Sequence, residues 1–209
     1  THTIPDSMGI IVETDHGWIV TPGDYKLDQV DGIVSKEEEK EYAIFDNAKV
    51  LWMYRHYRDV AASKLKKSGL HNGIRDMQHI IERSNSWRAE NVPEHIRDTI
   101  AQLYDEKMNP HDAAALYWFV RNSFLFELNV ASDPRVMLCK YEHFVKDPLA
   151  HVKRIYAFIG RPFPAKETLA DVYATSVGKG STITISPAVA YVCDGLLEKR
   201  DALWLNTRK

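Results

Sequence analysis

Cysteine is scarce in this chain. There are two in 209 residues, Cys139 and Cys193, far apart and both in apolar surroundings. That excludes a disulfide framework and a CxxC zinc or redox pattern, and it suits two buried thiols in a reducing, cytoplasmic setting. The nine histidines form no HxH or HExxH pair and the acids are scattered, so no metal is expected. No apolar run reaches the roughly 18 residues that span a bilayer. Charge of one sign is also missing. Lys and Arg number 27 against 29 Asp and Glu, a net charge of −2, which leaves no global basic footprint for nucleic acid. Any anion site must therefore be local. The chain has no GxxxxGK[ST] phosphate loop, no Ser-His-Asp arrangement with supporting motifs, no internal repeat and no low-complexity linker. It opens Thr1-His-Thr-Ile-Pro-Asp, without an initiator methionine and unlike a signal peptide, so the expectation is a single domain over 1–209 trimmed at its amino end.

What is present is an ordinary globular composition, 44% hydrophobic and 27% charged, enough for one real core. Residues 9–13 and 17–21 have the look of short strands broken by turn residues, and Ser35 begins a capped acidic helix over 36–41. Residues 49–54 are a compact apolar strand followed by a helix over 58–67. Helical spacing returns at 94–107 through Ile96, Ile100, Leu103 and Tyr104, and at 111–129 with Leu116, Phe119, Phe124 and Leu128 inward. A second strand, 135–141, is apolar enough to be buried on both faces. Pro148 opens a helix to Ile159, with Gly160 as its stop, and Ser186-Pro187 opens a last one with Val189, Val192, Leu196 and Leu197 inward. Helices alternating with short apolar strands predict an α/β fold with a mostly parallel sheet.

The segment Val50-Leu-Trp-Met-Tyr-Arg-His-Tyr-Arg-Asp-Val-Ala-Ala-Ser63 is the most informative. An apolar strand ends at Arg55, and Ser63 follows about a turn into the next helix. Ligands of open α/β sheets bind at that strand edge, where helix starts offer free N–H groups to anions. An arginine fork and a hydroxyl converging there suit a phosphate. Asp59 is expected to cap the helix start and pair with Arg58.

Arg-x-x-Arg-Asp-Val-Ala-x-Ser after an apolar strand resembles the 3′-phosphate-binding segment of sulfotransferases that use 3′-phosphoadenosine 5′-phosphosulfate (PAPS). The resemblance implies that Arg55 and Ser63 hold the 3′-phosphate. It extends to Tyr141-Glu-His-Phe-Val-Lys-Asp-Pro148 and the helix that ends in Phe158-Ile-Gly160, similar to the family's Tyr-Glu-Asp-Leu segment, Asp-Pro and Phe-Leu-Gly. His143 and Phe144 stand where Asp-Leu is usual. The family's tyrosine lies near the adenine, so Tyr141 is either an adenine contact or a core tyrosine at a strand end. Glu142 is expected to order the local turn, and Trp118 to pack on the sheet. In Ala174-Thr-Ser-Val-Gly-Lys-Gly-Ser181, the residues Thr175, Ser176, Lys179 and Gly180 resemble compressed versions of the family's Thr-Ser pair near the adenine and its Arg-Lys-Gly segment on the 3′-phosphate; a plain flexible loop is the other reading.

The family's Pro-Lys-x-Gly-Thr-Thr loop, which wraps the 5′-phosphosulfate, does not occur here. Val20-Thr-Pro-Gly-Asp-Tyr-Lys26 is the nearest string, and its aspartate would repel a phosphate. The loop either precedes Thr1 or has been lost together with transfer activity. His2, in Thr1-His2-Thr-Ile-Pro5, is similar to the family's general base in Lys-Thr-His-x-Pro, or is simply a terminal histidine. The resemblance thus implies a three-layer, P-loop NTPase-like sulfotransferase fold, possibly incomplete, with a mostly parallel sheet flanked by helices. It implies a transferase with PAPS as cosubstrate and a hydroxyl or amine acceptor. Residues 68–110 would cover the acceptor, with His71, Trp87 and Tyr104 as lining candidates. A catalytically silent nucleotide-binding or partner protein, a P-loop kinase relative and a ligand-free interaction module are the alternatives.

Overall fold

The structure is a computed structural model that describes residues 11–14, 17–20, 49–68, 72–86, 88–163, 169, 172, 174–175 and 177–206. The readings placed on His2, on 21–26, on the helix over 36–41, and on His71, Trp87 and Ser176 lie outside the described residues.

Two short strands, β1 (Ile11–Thr14) and β2 (Gly17–Val20), form an antiparallel pair in which Ile11 faces Val20. The strand that matters for the site is β3 (Val50–Tyr54), rich in the aromatic and β-branched residues that suit a pleated surface. It pairs in parallel with β4 (Val136–Lys140), in a register running from Val50 opposite Val136 to Tyr54 opposite Lys140. Parallel strands need a long crossover. Here it consists of α1 (Tyr57–Ser68), α2 (Asn72–Ile81), α3 (Glu94–Leu103) and α4 (Pro110–Glu127). After β4 come α5 (Tyr141–Lys146), α6 (Pro148–Phe158) and the long α7 (Pro187–Asn206). The fold is α/β, and among the described residues the parallel sheet has two strands.

The core sits where α4 meets α1, α2 and α7. Leu116, Trp118, Val120 and Leu125 of α4 are buried with Tyr57, Ala61, Met77 and Ile80, and with Val189, Cys193, Leu197 and Trp204 of α7. Asn109 starts α4 by accepting a hydrogen bond from the His111 N–H at 2.9 Å, and Pro110 follows at a position where a missing N–H costs nothing.

Several sequence expectations shift, each for a local reason. The helix expected to run to 107 stops at Leu103, because Tyr104 is extended and the Asp105 carboxylate turns back on the Lys107 N–H at 2.7 Å. Leu128, expected inward, is 59% exposed; it is the C-cap of α4 and leaves the helix's apolar face. β4 is buried at Leu138 and Cys139 only, its ends being partly exposed, so burial on both faces does not extend along it. The turn expected after Tyr141 is the helix α5, and Tyr141 is its first residue. The stop at Gly160 is as read: φ is +74°, the left-handed conformation that glycine adopts without strain.

Candidate functional site

The β3–β4 register decides what meets at the carboxyl edge of the sheet. Tyr54 and Lys140 are opposite one another, so Arg55 and Tyr141, the next residues on each strand's path, leave the sheet side by side. The Arg55 guanidinium lies over the Tyr141 ring, 5.1 Å from its centroid. This places the sequence's arginine and tyrosine candidates in one spot.

The main chain around Arg55 is held from two directions. Its carbonyl accepts the Trp118 Nε1–H from α4 at 2.9 Å, and the next N–H, of His56, donates to Glu142 Oε1 from α5 at 2.8 Å. Trp118 is buried, as expected, but it also fixes the backbone at Arg55. Glu142 does not order its own turn; it braces the neighbouring strand's exit. His56 Nδ1 accepts the Arg58 N–H at 3.2 Å, which leaves the neutral ring's proton on Nε2, and the ring stacks on Tyr57 at 4.9 Å. Tyr57 is fully buried, and that burial pushes its hydroxyl up to about 12.

The Arg55 fork divides between two groups on α1. One nitrogen donates to Ser63 Oγ at 3.5 Å and the other pairs with Asp59 Oδ2 at 3.5 Å. An arginine just before a twelve-residue helix and a hydroxyl in its second turn therefore meet, and arginine forks with hydroxyls bind phosphate oxygens. Asp59 departs from expectation. It pairs with Arg55 and not Arg58, and its two oxygens accept the N–H groups of Gly180 at 2.6 Å and Gly178 at 2.9 Å. This brings the loop around Lys179 and Gly180 onto the start of α1. Gly180 touches α1 so closely that an added Cβ would lie 2.4 Å from the Arg58 Cβ. Lys179 begins a 3₁₀ turn over Lys179–Thr182 and is exposed. Tyr104, offered as an acceptor-lining residue, packs against the core cluster instead.

Beneath the edge, α7 clamps both strand ends. The Tyr54 hydroxyl donates to Asp201 Oδ1 at 2.9 Å, and Lys140 Nζ meets Asp201 Oδ2 at 2.5 Å. Burial, then Asp201, raises the Tyr54 hydroxyl far above the ordinary phenol range. Nothing in the sequence signals Asp201, because its partners are remote along the chain. Burial also pushes the Cys139 thiol up to about 12 and raises that of Cys193.

Comparison with protein families matches residues 38–179 to the sulfotransferase domain. The chain belongs to the sulfotransferase family. Arg55, Ser63, Tyr141 and Lys179 fall inside the matched span, and Gly180 is the residue just after it. The general chemistry of a sulfotransferase domain is sulfuryl transfer. No curated protein and no solved structure matches the chain. Among the described residues, no group of three or more His, Cys, Asp or Glu could hold a metal ion in this sulfotransferase domain, and no helix is long and apolar enough to cross a membrane.

Proposed function

We propose that this sulfotransferase takes PAPS as donor and passes its sulfuryl group to a hydroxyl or amine acceptor. Arg55 and Ser63 hold the donor's 3′-phosphate, Tyr141 borders the adenine, and Lys179 with Gly180 completes the phosphate side. The observation that carries this reading is the convergence of the Arg55 fork, just ahead of α1 on the sheet's carboxyl edge, and the Ser63 hydroxyl in the second turn of α1, 3.5 Å apart. A planar guanidinium with a hydroxyl beside a helix start matches a tetrahedral dianion better than a neutral ligand.

Sulfuryl transfer proceeds in line from leaving oxygen to acceptor oxygen, with charge spread over the equatorial oxygens, so positioning and charge neutralisation do most of the work. The 3′-phosphate is remote from the reacting sulfur. Binding energy collected there by Arg55 and Ser63 orients the nucleotide and is realised as transfer only if the reacting end is held as well. The family's loop for that end is not found in this sequence. His2, the sequence's candidate base, lies outside the described residues. The nucleotide cosubstrate and a hydroxyl-bearing acceptor are the partners this reading requires.

The test is thermal unfolding with adenosine 3′,5′-bisphosphate, followed by turnover of PAPS. Ligand at 100 times Kd should stabilise the fold by about 2.7 kcal/mol, and PAPS should be consumed in the presence of an acceptor. Protection without consumption would identify a silent binder. No protection at millimolar bisphosphate would contradict the site itself.

A further inference from the structure

We infer that Asp59 is a positioning residue that pins the Lys179 loop to the Arg55–Ser63 corner and thereby builds the lysine side of the 3′-phosphate pocket. The inference rests on the reading of that corner as a 3′-phosphate grip, and it adds what delivers the second cation.

An aspartate in the first turn of a helix ordinarily accepts from N–H groups of that helix. Asp59 reaches elsewhere: its two oxygens accept from residues 119 and 121 positions on, the N–H groups of Gly178 at 2.9 Å and Gly180 at 2.6 Å. Asp59 is 5% exposed, so these bonds and the Arg55 pair are what make its burial tolerable. Gly178 is left-handed, φ +81°, which turns its N–H and that of Gly180 toward one acceptor. Gly180 sits where the Arg58 Cβ would be 2.4 Å from any added Cβ, so the loop meets α1 at main-chain contact distance. The other hydrogen bonds of this turn are internal: Ser181 to the Gly178 carbonyl, and Thr182 to the Lys179 carbonyl. Lys179 lies between the two pinned glycines, exposed, with no ion pair among the described residues. The main-chain position of Lys179 beside the first turn of α1 thus depends on Asp59.

There is a second consequence. A carboxylate beside a phosphate site would normally repel the ligand. Two N–H groups and the Arg55 guanidinium compensate Asp59's charge, and Asp59 in turn orients the Arg55 fork so that its other arm faces Ser63. Asparagine is nearly the same shape but can accept from only one of the two N–H groups and presents its own NH₂ to the other. It should release the loop while leaving the fold in place.

The experiment measures Kd for adenosine 3′,5′-bisphosphate and adenosine 5′-monophosphate by calorimetry, for the chain and for Asp59→Asn, Lys179→Ala and the double variant. Gly180→Ala serves as a second route to a displaced loop. The 3′-phosphate preference, the ratio of the two Kd values, should fall about tenfold or more in Asp59→Asn and in Gly180→Ala, the scale of one charge-assisted bond, with the monophosphate affinity unchanged. Lys179→Ala should weaken bisphosphate binding about tenfold alone but less than about threefold on the Asp59→Asn background, because the lysine is already displaced. A purely structural aspartate would instead weaken both nucleotides equally, and Lys179→Ala would cost the same on both backgrounds; either result overturns the inference. If the unaltered chain prefers the bisphosphate and Asp59→Asn keeps that preference, the pinning is wrong and the Arg55–Ser63 grip stands. If the unaltered chain shows no preference, the grip fails and the inference falls with it.

Discussion

Arg200 should destabilise the protein, and removing it should help. The residue is in α7, 0% exposed, and among the described residues none of its three guanidinium nitrogens is hydrogen-bonded. Its cation lies over the Tyr54 ring at 4.4 Å. Burial brings its pKa from the ordinary arginine range down to about 9, a fall worth about 5 kcal/mol against the charged form. A desolvated cation over an aromatic face returns about 2 kcal/mol. Methionine follows the same stem and has no donor to satisfy, so Arg200→Met should stabilise the fold by about 3 kcal/mol, within the range seen when buried charges are replaced by apolar groups. For a chain of this size that raises Tm by roughly 6–12 °C. Urea unfolding at pH 7 gives the number directly, provided the m-value is unchanged. The pH dependence supplies a sign test. Below pH 9 the arginine is charged in both states and the penalty is complete. Above it the folded state loses the proton first and the unfolded state binds more, so the original chain gains on the variant by up to about 1.4 kcal/mol per pH unit. An Arg200→Met protein less stable than the original by more than about 1 kcal/mol would refute the reasoning, since it would mean that the guanidinium is satisfied.

Two further outcomes follow from the site's scaffold. Trp118→Phe removes the indole N–H that holds the Arg55 carbonyl at 2.9 Å; it should cost about 1–3 kcal/mol of stability by urea unfolding and weaken bisphosphate binding, whereas an unchanged affinity would show that the corner does not need this brace. Cys139 and Cys193 are buried thiols held protonated by burial, so neither should react with a thiol reagent at pH 8 until urea is added; prompt labelling of either in native protein would contradict that burial.

The legible part of the site was its local part. Arg55, Ser63 and the strand before them are close in sequence, and a strand ending in arginine before a helix announces its own geometry. Tyr141 was a candidate only through the family resemblance, and the parallel register places it beside Arg55. What the sequence concealed were long-range ties. Asp59 looks like an ordinary first-turn aspartate, and only the fold shows it gripping glycines 119 and 121 residues away. Asp201 and Arg200 fall on a helix read only through its apolar positions, yet one clamps Tyr54 and Lys140 while the other is fully buried. The helix α2 escaped notice because residues 72–81 were read only as part of an acceptor cover. The local sequence also misjudged α3, since the helical spacing continued past the point where Asp105 turns the chain.

The central claim is that the Arg55–Ser63 corner grips the 3′-phosphate of the sulfuryl donor. Calorimetric titration of adenosine 3′,5′-bisphosphate into the chain and into Arg55→Ala tests it most directly. The account predicts clear binding to the first and a loss of at least about 2 kcal/mol, roughly 30-fold in Kd, in the second, with adenosine 5′-monophosphate affected little. Equal affinity of the two proteins for the bisphosphate would contradict it.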